Sequence, residues 1–144
     1  MATDRRAEVT WQGNLMEGTG TIVSTTSGAI GEQAVSWPNR AEDSPSTTSP
    51  EELIAAAHAS CFAMALSNTL AKDGHAPDEL RTSATVTFQP GEGITKIALT
   101  VEGRVGGLDD GAFQQAAEAA KAGCPVSQAL ASVPEITLAA KLAT

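Results

Sequence analysis

The sequence predicts an α+β fold of order βββ-α-ββ-αα-β, and three observations carry that expectation. Glycine-punctuated, β-branched segments fill residues 6–37. A long, capped, alanine-rich helix follows a polar loop. A second alternating hairpin then leads into another alanine-rich helix and a closing apolar strand. At 144 residues the chain suits one domain, since domains cluster near ~100–150 residues. A single domain over residues 1–144 is therefore expected.

RAEVTWQG alternates around Val9 and Trp11, TGTIVSTTSG is threonine-rich, and EQAVSWP ends at Pro38, so the first three strands form an antiparallel meander. NRAEDSPSTTS fits neither strand nor helix and is expected as a loop. Ser49, Pro50 and Glu52 then give an N-cap, a proline at the first helical position and a capping box. The helix runs to Lys72 and stops near Gly74. Between Leu53 and Leu66 no face carries a charge, so this central helix is expected to be buried on all sides, wrapped by sheet or by a partner chain. TSATVTFQP and TKIALTVEGRV form the next two strands around a PGEG turn. Asp109 and Asp110 open a helix with Phe113, Ala116, Ala117 and Ala120 on one stripe and Gly123 as candidate C-cap. Pro125 starts a short helix directly after Cys124, and EITLAAKL is the last strand. The Glu42-Asp43 run belongs to the solvated loop.

The core must be built from small side chains. There is no Tyr, only three Phe and two Trp, while 26 residues are Ala. A lone chain of this size buries only about two-thirds of its unfolded surface, so oligomerisation is expected. The formal net charge of −8 removes the basic footprint that nucleic-acid binding or an anionic membrane surface requires. MATDRRAEVTW lacks the apolar stretch of a secretory signal. Residues 53–70 are interrupted by His58, Ser60, Ser67, Asn68 and Thr69, which makes a membrane span marginal. The chain reads as a soluble cytoplasmic protein.

Chemistry is concentrated in two cysteines, and in a reducing compartment these are redox-active, metal-binding or simply buried. Cys124 begins a helix, where the partial positive charge favours thiolate. Cys61 lies inside a buried helix, where desolvation raises a thiol pKa. By itself that position reads as a small core residue. His58, three residues earlier, reads first as a satisfied interior histidine. A metal site from His58, Cys61, His75 and Cys124 lacks the paired spacing of zinc ligands, and neither metal nor cofactor is expected.

SPEELIAAAHASCFAMALS and, 63 residues after its cysteine, AKAGCPVSQAL resemble the two signature segments of the OsmC/Ohr family, the osmotically inducible protein C and organic hydroperoxide resistance proteins. TWQG, GEGITKIALTVE and EITL match in order, and the AAHA form is similar to the OsmC branch. The resemblance implies an OsmC-like fold in an intertwined homodimer. It implies a cysteine-based peroxidase for organic hydroperoxides, with Cys61 as peroxidatic thiol, Cys124 as resolving thiol, and Arg40 and Glu51 completing the site. It also implies an external dithiol reductant, the family being associated with lipoylated proteins. Phe62 and Met64 would favour an organic tail in the pocket. Glu51 and Cys61 are ten residues apart, ~15 Å along a helix, so Glu51, with Arg40, is expected to reach Cys61 of a partner chain. The rival reading is a stress-induced, non-enzymatic dimer that binds small molecules with idle cysteines.

Overall fold

The computed structural model describes residues 1–42 and 45–143; Asp43 and Ser44 of the polar loop lie outside the described residues. The chain divides into two compact units, Met1–Pro50 and Glu51–Thr144.

In the first unit β1 (Ala7–Gln12), β2 (Thr19–Thr25) and β3 (Gln33–Val35) form an antiparallel sheet in that order, as the glycine punctuation predicts. Ile22 is its buried anchor. The loop expected after Pro38 begins instead with a short helix, α1 (Trp37–Ala41). Ser36 caps it, its Oγ accepting from the Asn39 amide at 3.4 Å and side-chain amide at 2.9 Å. Pro38 therefore sits inside a first helical turn, where its missing N–H costs nothing, and does not merely end a strand.

In the second unit α2 (Pro50–Lys72) starts and stops where the caps place it. Gly74 takes φ +85°, open to a residue without Cβ. The Gly74 and His75 amides then donate to the Ala71 and Leu70 carbonyls at 3.1 and 2.8 Å. β4 (Glu79–Gln89) and β5 (Gly93–Arg104) pair antiparallel, and β6 (Glu135–Leu142) adds parallel to β5. The register aligns Leu80, Ala84 and Val86 with Gly103, Leu99 and Ile97, and these in turn with Leu142, Leu138 and Ile136. One face of the sheet is thus apolar apart from Thr82, which aligns with Val101 and Ala140.

α3 (Asp110–Gly123) lays Phe113, Ala117 and Ala120 into the core, with Ala116 partly buried beside them. Its N-cap Asp109 accepts from the Ala112 amide at 2.7 Å. Gly123 is not the cap that its position predicts. It remains helical, and Cys124 takes the cap at φ −66°, ψ 122°. The cause is Pro125, which drives the preceding residue out of the helical region. Cys124 consequently ends α3 and begins α4 (Pro125–Ala129) at once.

A single chain does not bury α2 on all sides. Its buried positions, Glu51, His58, Phe62, Leu66 and Leu70, follow one helical stripe. Met64, on the other side, is 72% exposed. α2 is long and apolar enough to span a bilayer by length and composition alone, but its buried stripe belongs to the same core as Ile97, Leu99 and Val101 of β5.

Candidate active site

Cys61 and Cys124 are brought together by α2 and the α3–α4 junction. Thr82 of β4 donates its hydroxyl to the Ala59 carbonyl at 3.1 Å, fixing α2 against the sheet one half-turn from Cys61. Cys61 is half-buried and packs against the core cluster that contains Cys124, which is fully buried. Both are free cysteines, close enough that each shifts the pKa of the other. A pair 63 residues apart in sequence is thus brought into one neighbourhood, with Cys61 half-buried and Cys124 enclosed.

The surroundings separate the two sulfurs electrostatically. Burial pushes the Cys61 thiol up; the Val126 amide opposes this and neighbouring Cys124 reinforces it. Burial also acts upward on Cys124, but the Ser127 amide, the Cys61 thiol, the Ser127 hydroxyl and the Val126 amide together outweigh it and bring its pKa down. Both directions match what helix position predicts.

Ser127 is a site residue that sequence reasoning did not single out. It is 8% exposed, and its Oγ lies 2.7 Å from His58 Nε2. The available signal was its position three residues beyond Cys124, which on a helical turn returns the side chain toward the first residue. His58 is fully buried, and burial pushes its pKa down. Among the described residues its Nδ1 has no hydrogen-bond partner.

Glu51 occupies the first turn of α2 and is 6% exposed. α2 runs unbroken from it to Cys61, so the two residues of one chain stay ~15 Å apart along the helix. Arg40 lies in the last turn of α1 in the first unit, its guanidinium 6.0 Å from the centroid of the Trp37 ring. Phe62 is a core residue, 0% exposed, and cannot line a substrate pocket as expected; the α2 stripe that carries it faces inward. Met64 is exposed. Among the described residues no group of three or more His, Cys, Asp or Glu could hold a metal ion.

Fold and candidate site together define an α+β protein with two neighbouring cysteines at its core. The chain belongs to the family described as OsmC-like protein, which matches residues 42–139. It is 43% identical over 141 residues to peroxiredoxin OsmC of Escherichia coli (strain K12), covering 96% of both chains. Among solved structures, it is similar to the organic hydroperoxide resistance protein OhrB of Bacillus subtilis, with TM-score 0.64, 25% identity, and coverage of 96% and 98% of the two chains. An organic hydroperoxide resistance protein from Elizabethkingia anophelis shares the fold at TM-score 0.72 and 22% identity, over 99% of this chain and 100% of the other.

Proposed function

We propose that the protein is a thiol-dependent peroxidase that reduces organic hydroperoxides, and hydrogen peroxide less well, in cytoplasmic stress defence. The observation that carries this reading is the packing of a half-buried cysteine, Cys61, against the core cluster that holds a fully buried one, Cys124. The names of the relatives, a peroxiredoxin and an organic hydroperoxide resistance protein, support the same chemistry.

Peroxide must reach the sulfur that attacks it, which favours Cys61 over the fully buried Cys124. The Cys61 thiolate attacks the distal oxygen of ROOH. The S–O bond forms as the O–O bond breaks, RO⁻ takes up a proton and leaves as alcohol, and Cys61 becomes a sulfenic acid. Cys124 then attacks that sulfur, the hydroxyl departs as water with the Cys124 proton, and a Cys61–Cys124 disulfide closes. An external dithiol, in the cell a lipoylated protein, restores both thiols. No metal or cofactor enters this cycle.

The chain's own groups raise the Cys61 pKa, so the first step needs a cation. Arg40 is the residue assigned to it, since an opposite charge within ~4–6 Å lowers an acidic pKa by ~1–3 units. Glu51 is assigned to hold that guanidinium in a bidentate pair. Because Glu51 and Cys61 are separated along one unbroken helix, the site is assigned to a homodimer in which Glu51, with Arg40, comes from the second copy of the domain. The uncovered side of α2 around Met64 is the surface such a copy would cover.

Two experiments test this reading. The reduced protein should consume cumene or tert-butyl hydroperoxide catalytically with a dithiol reductant; equally slow consumption by wild type and Cys61→Ser would refute the enzyme and leave a small-molecule-binding dimer. Co-refolded Cys61→Ser and Glu51→Ala chains should regain activity that neither homodimer shows, because one of the two mixed sites is intact. Activity no higher than in the two homodimers would place Glu51 in its own chain's site or outside any site.

A further inference from the structure

Behind the two thiols lies a buried polar pair that the proposed chemistry has not used. His58 Nε2 and Ser127 Oγ are 2.7 Å apart across 69 residues of sequence, and Ser127 sits in the turn of α4 that Cys124 caps, near enough for its amide and hydroxyl to favour a lower Cys124 pKa. The contact can be made in two ways. If the Ser127 O–H donates to Nε2, the histidine proton sits on Nδ1, as a buried N–H without a partner among the described residues. If Nε2–H donates to Ser127 Oγ, only a bare lone pair is left at Nδ1, and the Ser127 proton is free to turn elsewhere. Orphaned buried N–H groups are rare and costly, and under-satisfied acceptors less so. The second arrangement is therefore favoured, and the sulfur of Cys124 is the acceptor available to the released hydroxyl.

We propose that His58 is a positioning residue for the resolving step: its Nε2–H holds the Ser127 oxygen so that the Ser127 hydroxyl donates to the Cys124 sulfur. The donor polarises Cys124 toward thiolate, the form that attacks the Cys61 sulfenic acid. When the disulfide is later reduced, the same hydroxyl stabilises Cys124 as the departing thiolate. No net proton transfer through His58 is required, and a histidine whose burial opposes protonation suits a fixed neutral donor. The ionisable groups around this pair are the two thiols, Glu51 two turns back on the buried stripe of α2, and Glu118 and Lys121 of α3, which line a cleft with Ser127. The step in which the device acts rests on the peroxidase reading, whereas its geometry and its effect on the thiol do not.

Two measurements decide the proposal without any peroxide. Long-range ¹H–¹⁵N NMR of the reduced wild-type protein should show His58 as the neutral Nε2–H tautomer; the Nδ1–H tautomer would overturn it. The chain has no Tyr, so thiolate absorbance near ~240 nm can be titrated without phenolate, and in a Cys61→Ser background Cys124 is the only thiol. There Ser127→Ala and His58→Leu should each raise the Cys124 midpoint by about one unit. The double substitution should add nothing further, and His58→Gln, whose amide can still donate, should restore most of the shift. A merely structural role would lower thermal stability and leave the midpoint in place. An unchanged midpoint in either single variant would overturn the proposal, and should His58→Leu fail to fold, the tautomer decides. In the intact two-cysteine protein the same substitutions should slow disulfide closure severalfold after one equivalent of peroxide, so that the sulfenic acid persists on Cys61. If peroxide is not consumed at all, the peroxidase reading fails while the tautomer and titration still decide this one.

Discussion

Replacing Cys61 by serine is expected to lower catalytic hydroperoxide consumption by at least about a thousand-fold, the scale on which removal of an attacking nucleophile acts. Serine keeps the half-buried position but removes the thiol of the more exposed of the two cysteines. Cys124→Ser should behave differently. Its Cys61 can still reduce one equivalent of peroxide, so a stoichiometric burst is retained. Sustained turnover then depends on how fast an external thiol reaches the Cys61 sulfenic acid directly, and over-oxidised Cys61 should accumulate with excess peroxide. Following alcohol formation by chromatography separates the two variants: none from the first, about one equivalent in the initial phase from the second. A Cys124→Ser protein without the burst would assign peroxide attack to the lower-pKa sulfur.

The largest effect on stability is expected at Phe113. It is one of only three phenylalanines in the chain, it is completely buried, and it closes the space over Gly103. A Cβ built on Gly103 would lie 2.5 Å from Phe113 Cζ and 2.6 Å from Cε1. The glycine is thus required by the close approach of the ring. Phe113→Ala should cost about 3–5 kcal/mol, as truncations of buried aromatic residues do. The thermal midpoint should fall by about 10 °C or more. Gly103→Ala should also destabilise, by overpacking, and adding Phe113→Leu to it should recover part of the loss. Denaturant unfolding of the reduced protein checks all four proteins. Equal midpoints for wild type and Phe113→Ala would mean that α3 is not anchored through this contact. Because α3 runs directly into Cys124, loss of the anchor should also broaden the geometry of the thiol pair.

What the sequence could convey was set by how local each cause is. The start of α2 was legible because Pro50 and Glu52 act within one turn, and β4 because alternation is a two-residue property. α1 was obscured because Pro38 punctuates a strand end and a helix start equally well. Gly123 was read as a cap by its type, yet the neighbouring Pro125 fixes the chain at Cys124 instead. The apolar circumference of α2 gives no periodic signal, so the inward stripe through His58 and Phe62 could not be chosen before the sheet was in place. The direction of the Cys124 pKa follows from its place at a helix start, and that of Cys61 from burial. The contact between Cys61 and Cys124, and that between His58 and Ser127, join elements 63 and 69 residues apart, and no local pattern encodes such meetings. Motif resemblance supplied the first pair; the second emerged only from coordinates.

In the proposed cycle one peroxide converts Cys61 and Cys124 into a disulfide. Adding one equivalent of cumene hydroperoxide to the reduced wild-type protein without oxygen, then alkylating and mapping peptides under non-reducing conditions, tests it most directly. One equivalent of cumyl alcohol and a single cross-linked peptide pair joining Cys61 to Cys124 within one chain are expected. Alcohol formed with both cysteines still free to alkylate, or a cross-link only between chains, would contradict it.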